Sequence, residues 1–312
     1  MKRRSNMNLQ HLRTLLTIVE QGSLSQAARA MDVSQPAVTK QVQRLEQELE
    51  AALLVRGPQQ QAALTPAGEQ VVAFARETLA RFEALQEQLA LLKTVSRGNL
   101  ALAASTIPGE YLLPGLLAAF REQYPQTHVE VIIADTAEVA RRVLTDEADA
   151  GLIGAVVDRP GLRLERLVAD EVVLIVPPHH PFAGRGQVAV EELRGQPLVM
   201  REEGSGTRRS VEGALATAGR TLAEKNVVLT LGSTQAVLRA VEQGLGLGFV
   251  SARAAAQAQA DGHLVCVRLD GVDLRRELYL AYLPQRLADA VVAHFVAFTR
   301  SRFGQQGEAS TR

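Results

Sequence analysis

The 312-residue sequence is 46% hydrophobic and 22% charged, the make-up of a folded soluble protein with room for two or three domains. Lysine plus arginine equals aspartate plus glutamate at 34 each, which excludes a chain drawn to polyanions by its overall charge. No apolar run reaches membrane-spanning length, and a single cysteine excludes an internal disulfide.

Charge is distributed less evenly than that balance suggests. Residues 1–64 hold eight Lys/Arg against five Asp/Glu, a local net of +3. A local excess is all that a surface touching a short polyanion needs. Met1–Asn8 is basic and polar with no apolar core after it, so no secretion signal is expected and the chain is placed in the cytoplasm. Cys266 lies in the apolar run Leu264–Leu269 and reads as a buried, inert thiol rather than a redox sensor.

Residues 8–64 read as short helices. Leu9, Leu12, Leu15, Leu16 and Val19 form one apolar stripe that Gly22 ends. Ser23 or Ser25 can cap a second short helix with Leu24, Ala27, Ala28 and Met31 inward. Asp32-Val33 form a tight turn, and Ser34 is an N-cap for a third helix with Pro36 in its first turn. That helix runs to about Glu50. Val38, Val42, Leu45 and Leu49 lie on one side; Pro36, Thr39, Lys40, Gln43 and Arg44 lie on the other. Leu53–Thr65, with Gly57-Pro58 and three glutamines, reads as a β-hairpin.

Thr65-Pro66 opens a long helix to about Lys93. Val71, Ala75, Thr78, Phe82, Leu85, Leu89 and Leu92 follow at alternating gaps of four and three, a heptad seam that suits a coiled-coil dimer. The same stripe would serve a helix packed on its own domain; the lack of other apolar surface nearby favours the dimer. From Gly98 onward, strands and helices alternate. Strands are expected at Asn99–Ser105, His128–Ile133, Ala150–Ile153, Val172–Val176, Pro197–Met200, Val227–Leu231, Leu247–Val250 and Leu278–Tyr282. Helices are expected at Tyr111–Gln123, Glu138–Asp146, Thr207–Ala218, Thr234–Gln243 and Arg286–Arg302. The alternation implies helix-covered parallel sheets in two lobes, with the chain crossing near Asp170 and near Asp270. Gly304–Arg312 is small and polar and is expected to be disordered.

The strongest motif runs from Ser23 to Val42. Two helices joined by a tight turn would pack through Ala27, Ala28, Val33 and Val38, where small side chains permit close approach. This presents the polar face of the third helix to a DNA major groove. Gln35, Thr39 and Gln43 can hydrogen-bond base edges, while Lys40 and Arg44 suit phosphates or guanine. Ala27-Ala28, Ser34-Gln35-Pro36-Ala37-Val38, Gln43-Arg44-Leu45-Glu46 and Leu64-Thr65-Pro66-Ala67-Gly68 resemble the LysR-type transcriptional regulators. The resemblance extends over about residues 8–302. It implies an α+β multidomain chain: a winged helix-turn-helix over 1–65, a dimerising linker helix over 66–94, and an effector domain over 95–303 shaped like periplasmic solute-binding proteins. Lobe I would take about 95–169 and 270–303, and lobe II about 170–269. The resemblance also implies homodimers or homotetramers on double-stranded promoter DNA, a small co-inducer, and recruitment of RNA polymerase. The wing departs from the family pattern: Arg56 is kept, but the following glutamines carry no charge, so a shallower salt dependence is expected.

A second constellation lies in the effector domain. Ser105-Thr106, at a strand end and helix start, and Gly204-Ser205-Gly206-Thr207, opening another helix after Arg201, offer hydroxyls and free amides that suit an anion. Thr136, after the second strand, could reach the same cleft. The segments Ser105–Pro114 and Arg201–Arg208 are similar to the CysL-like branch of the family, which is linked to sulfur assimilation. The likeness implies sulfite, sulfate or a small carboxylate as effector. Enzyme signals are lacking: Gly204-Ser205-Gly206 is no nucleophile elbow, and Gly244-Leu-Gly-Leu-Gly248 is no dinucleotide fingerprint. His179-His180, between prolines, reads as a solvated loop rather than a metal site. No cofactor or metal is expected.

Overall fold

The computed structural model describes residues 8–56, 62–93, 98–222 and 226–309. The chain divides into two compact units, residues 1–89 and 90–312.

The first unit opens with α1 (Leu9–Gln21), capped by the Asn8 side chain accepting from the Gln10 amide at 2.8 Å and ended by Gly22 at φ 72°. In α2 (Leu24–Ala30), Ser23 is the cap, accepting from the Gln26 amide at 3.2 Å. Ser25 instead donates to the Gln35 side chain. Asp32, at φ 52°, makes the turn into α3 (Gln35–Leu49). Two expectations need correction here. Ser34 occupies the cap position, yet its hydroxyl makes no capping bond; its carbonyl receives the Ala37 and Val38 amides instead. Val33 does not join the core but is 40% exposed, because the left-handed Asp32 turns the chain outward. Ala27, Ala28, Val38 and Val42 pack with Ile18 as expected. A two-stranded wing follows: β1 (Leu54–Arg56) pairs antiparallel with β2 (Ala62–Leu64). The expected turn with its three glutamines, residues 57–61, lies outside the described residues.

α4 (Pro66–Leu91) carries two adjacent apolar stripes. Val72, Ala75 and Leu79 are buried against Leu12, Leu15, Leu45 and Leu53 of the same unit. Phe74, Leu85, Leu89 and Leu92 are exposed, Leu92 by 81%. At 100° per residue the stripes are centred roughly 110° apart. Ala75 therefore leaves the predicted seam: it is fully buried in its own unit, and half-buried Val71 also packs there. The reading of a helix packed on its own domain holds for the first part of α4, and the rest of the expected seam is exposed in the single chain.

The second unit contains β3 (Gly98–Ser105), a π-helical turn (Pro108–Leu112), α5 (Leu113–Gln123), β4 (Thr127–Ala134), α6 (Thr136–Leu144), β5 (Ala150–Ile153) and β6 (Arg163–Val176). It continues with β7 (Gln187–Val188), β8 (Leu198–Arg201), α7 (Gly206–Thr217), β9 (Val227–Leu231), α8 (Thr234–Glu242) and β10 (Leu247–Ser251). It closes with α9 (Ala252–Ala260), β11 (Val265–Leu269), β12 (Arg275–Tyr282) and α10 (Ala290–Ala309). Strand order is β4-β3-β5-β12-β6-β10-β8-β9, with β11 joining β6 and β7.

Within each lobe the strands around β3 and β8 are parallel. The sheet as a whole is mixed, which corrects the expected all-parallel arrangement. β12 runs antiparallel to β5 and β6, and β6 runs antiparallel to β10 and β11. The reason is β6, which starts at Arg163 rather than Val172 and serves both lobes. Its first part pairs with β12 up to Arg275↔Glu171; its second part pairs with β10 from Ser251↔Val172. One lobe packs around Leu100, Leu102, Phe120 and Phe295, whose rings meet edge-on at 5.4 Å. The other packs around Leu174, Phe182, Leu198 and Phe249. α10 extends to Ala309, through the start of the segment expected to be disordered; residues 310–312 lie outside the described residues.

Cys266, on β11, is half-buried, and burial with nearby Glu171 pushes its thiol up to about 11. Native Cys266 should alkylate at least about tenfold more slowly at pH 7.5 than the same residue in urea, because the thiolate is the nucleophile. Equal rates would contradict this assignment. For the linker, Leu79→Ala should cost the first unit about 2–4 kcal/mol in urea unfolding, whereas exposed Leu92→Ala should cost under about 1 kcal/mol.

Candidate functional site

Two surfaces carry the residues singled out above. On α3, Gln35, Pro36, Lys40, Gln43 and Arg44 are exposed and Thr39 is half-exposed, while Val38, Val42 and Leu45 hold the opposite face in the core. Thr39 donates its hydroxyl hydrogen to the Gln35 carbonyl at 3.0 Å, and Gln35 accepts from Ser25 at 3.2 Å. These bonds orient the first turn of α3 without burying it. Arg56 lies at the end of the first wing strand.

The second surface is the cleft between the lobes. Ser105, Thr106, Thr136, Arg201, Ser205, Gly206 and Thr207 all line one recess, together with Ile107, Asp135, Gly154 and Arg276. The recess is small, with a volume of about 10 Å³. Local structure explains the convergence. Ser105 ends β3, and the chain turns helical at Thr106. Thr136 is the first residue of α6, whose cap Asp135 accepts from the Glu138 amide at 2.9 Å. Ser205 caps α7, and Gly206 and Thr207 form its first turn. The lobes meet at glycine: a Cβ on Gly206 would lie 2.6 Å from the Thr136 hydroxyl, and one on Gly204 would lie 2.6 Å from the Asp135 carboxylate. Larger residues would wedge the lobes apart.

Two arginines flank the recess. Arg201 is buried; its Nε and Nη2 donate to Glu202 at 2.7 and 2.6 Å, and Nη1 donates to the Thr234 hydroxyl at 2.8 Å. Arg276, at the start of β12, donates from Nε to Asp170 Oδ2 at 2.8 Å and from Nη1 to the Thr207 hydroxyl at 3.1 Å. Its Nη2 also lies 2.8 Å from Asp170 Oδ2, but without a directed hydrogen bond. Burial draws the Arg276 guanidinium below its usual range, with Asp170 opposing. The Thr136 hydroxyl is fully buried and has no partner. Across the cleft mouth, Gln235 donates to the Tyr111 hydroxyl at 3.1 Å.

Asp135, Gly154, Asp170 and Arg276 were not among the residues singled out from sequence. Asp170 was legible only as a crossing point. Arg276 stands in the charged run Asp273-Leu-Arg-Arg-Glu277, which resembles a solvated strand end. His179-His180 forms a turn in which His180 accepts from the Phe182 amide at 3.2 Å and meets Gln196 at 3.3 Å. Among the described residues no cluster of three or more His, Cys, Asp or Glu could hold a metal, and no helix is long and apolar enough to cross a membrane.

Residues 9–69 match the family described as bacterial regulatory helix-turn-helix protein, lysR family, and residues 93–304 match the LysR substrate binding domain. The HTH-type transcriptional regulator CysL of Bacillus subtilis is 30% identical over 295 residues, covering 95% of this chain and 97% of that protein. A probable RuBisCO transcriptional regulator of Cyanidioschyzon merolae is 34% identical over 281 residues, covering 89% and 92%. Among solved structures, the regulatory domain of Synechocystis CcmR in complex with 2-PG superposes with a TM-score of 0.60 at 25% identity, covering 66% of this chain and 98% of that one. Full-length CbnR with its target DNA shares the fold at a TM-score of 0.55 and 22% identity, covering 95% and 99%. With both domains matched and the relatives covered nearly end to end, the chain belongs to the LysR family of transcriptional regulators, pairing a DNA-binding helix-turn-helix with an effector-binding domain.

Proposed function

We propose that this regulator responds to a small anion, a sulfur oxyanion or a compact carboxylate, held between its lobes by Ser105, Thr106, Thr136, Arg201, Ser205, Gly206, Thr207 and Arg276. One observation carries the reading. The Thr136 hydroxyl is fully buried, has no partner and lines the recess, and Arg276, whose Nη2 has only its 2.8 Å ion pair with Asp170, lines the same recess from another element. A buried donor left unpaired costs about 1–3 kcal/mol, so the site is built for an acceptor that is not part of the chain. The helix starts at Ser205 and Asp135 add free amides from opposite sides. The regulatory domain of CcmR, solved in complex with 2-PG, supports a small ligand for a domain of this fold.

On the DNA side, base reading falls to Gln35, Thr39 and Gln43, and phosphate or guanine contact to Lys40, Arg44 and Arg56. Ser34 and Pro36 set the entry of the helix. The outward stripe through Thr78, Phe82, Leu85, Leu89 and Leu92, with Phe74 beside it, joins two copies so that two recognition helices reach two half-sites. Pairs of dimers would form the tetramer, and RNA polymerase would be the further partner. No catalytic role is proposed.

Thermal melting of the full chain with sulfate, sulfite and acetate tests the cleft: one or more should raise the melting temperature by mass action. Thr136→Val and Thr207→Val, which keep shape but lose the hydroxyl, should reduce that rise to under half. Full retention in both variants places the anion elsewhere. For DNA, Gln35→Ala should lose about 1–3 kcal/mol of discrimination between operator and random duplex. Equal losses on both duplexes would remove Gln35 from base reading. Leu89→Asp should convert the assembly to a smaller species in light scattering, since it sets a charge in an apolar interface.

A further inference from the structure

Asp170 and Arg276 face each other on β6 and β12, one residue before β6 passes from one lobe to the other. Both side chains are almost wholly buried. Asp170 is shared. Its Oδ2 receives Arg276, its Oδ1 receives the Ser251 hydroxyl at 2.6 Å, and Arg253 Nε stands 3.6 Å from Oδ1. Ser251 ends β10 and caps α9, so the carboxylate ties the crossing strands to the second lobe. Arg276 reaches from the same place to Thr207 in the first turn of α7. Arg201 stands near enough to Arg276 to disfavour its charge.

Resting on the anion reading of this cleft, we infer that Arg276 is the residue that senses effector charge, and that Asp170 sets its sensitivity by holding the guanidinium neutralised. The other strongly basic group of the cleft, Arg201, spends its fork on Glu202 and its remaining edge on Thr234. Arg276 Nη2 makes no directed hydrogen bond and is held only by its 2.8 Å ion pair with Asp170, and its side chain lines the recess. With Asp170 charged, the pair offers an incoming anion directed N–H groups but little net positive charge. The carboxylate and the effector then compete for one guanidinium. The cleft accordingly favours a small, singly charged anion more than its two arginines alone would, and a dianion enters against the charge of Asp170.

Asp170→Asn keeps shape and an acceptor but removes the competing charge. Titration calorimetry of the full-length protein should show sulfate binding at least about tenfold tighter in Asp170→Asn than in the wild type, with a smaller gain for acetate. The unliganded variant should melt lower, because it leaves a buried cation unpaired. A carboxylate with a merely structural role would lose stability and anion affinity together, and that result overturns the inference. Should Asp170→Asn fail to fold, the double variant Asp170→Asn with Arg276→Gln restores a neutral buried pair. It should bind sulfate, sulfite or acetate at least about tenfold more weakly than wild type. Unchanged affinity in the double variant removes Arg276 from the site while leaving the cleft reading intact. If none of the three anions binds the wild type, both that reading and this inference fall.

Discussion

A guanidinium taken out of water requires a carboxylate beside it, and the pairing of Arg276 with Asp170 is where the effector-binding unit meets that requirement. The pair can form because β6 and β12 are antiparallel neighbours in register at Asp170↔Arg276. β6 is long because it must serve two sheets, giving its first part to β12 and its second to β10 and β11. Both lobes therefore share a continuous strand, and the buried charge pair lies at its point of transfer. A shift in either strand register would separate the charges and leave two buried ions unmatched. The pair thus favours a single register and a single meeting geometry of the lobes.

The cleft follows from that geometry. α6 and α7 begin on opposite sides of it, and each helix start carries partial positive charge. Two such ends repel when brought together in an apolar setting. Asp135 relieves one by capping α6 with its own carboxylate, and glycines at 204 and 206 let the backbone of the second lobe approach that cap. The hydroxyls of Ser105, Thr106, Thr136 and Thr207 fill the remaining boundary. A recess with converging donors, a neutralised arginine and scarcely any free volume is suited to something compact that accepts hydrogen bonds.

Much of this was legible in the sequence, for identifiable reasons. The helix-turn-helix shows because its alanines, its turn and the apolar side of α3 each have a local signature. Ser105, Thr136 and Ser205–Thr207 show because hydroxyls at helix starts mark strand-to-helix junctions, and in an alternating fold those junctions gather at one edge of the sheet. Arg276 and Asp170 do not show, since their meaning lies in a pairing between residues more than one hundred positions apart. α9 escapes because Ala252–Ala260 is alanine and glutamine apart from Arg253, with no large apolar side chain to mark a face. The all-parallel reading fails because alternation reports local order and is silent on the direction of a strand that returns from another lobe.

The linker helix shows how two demands share one segment. In its first four turns, Val72, Ala75 and Leu79 complete the core of the DNA-binding unit, so the helix cannot turn that stripe toward a partner without unfolding the unit. The stripe through Phe74, Leu85, Leu89 and Leu92 lies roughly 110° away and remains exposed in the single chain. A heptad reading from sequence merges the two, because Ala75 fits a seam position by spacing while Phe74, one residue earlier, is the side chain that faces outward. Small Ala75 is fully buried inward, where it packs with Leu12, Leu15 and Leu45. Large Phe74 stands outward, 47% exposed. The division follows from side-chain size, and it leaves the outward stripe exposed without drawing on the core of the DNA-binding unit.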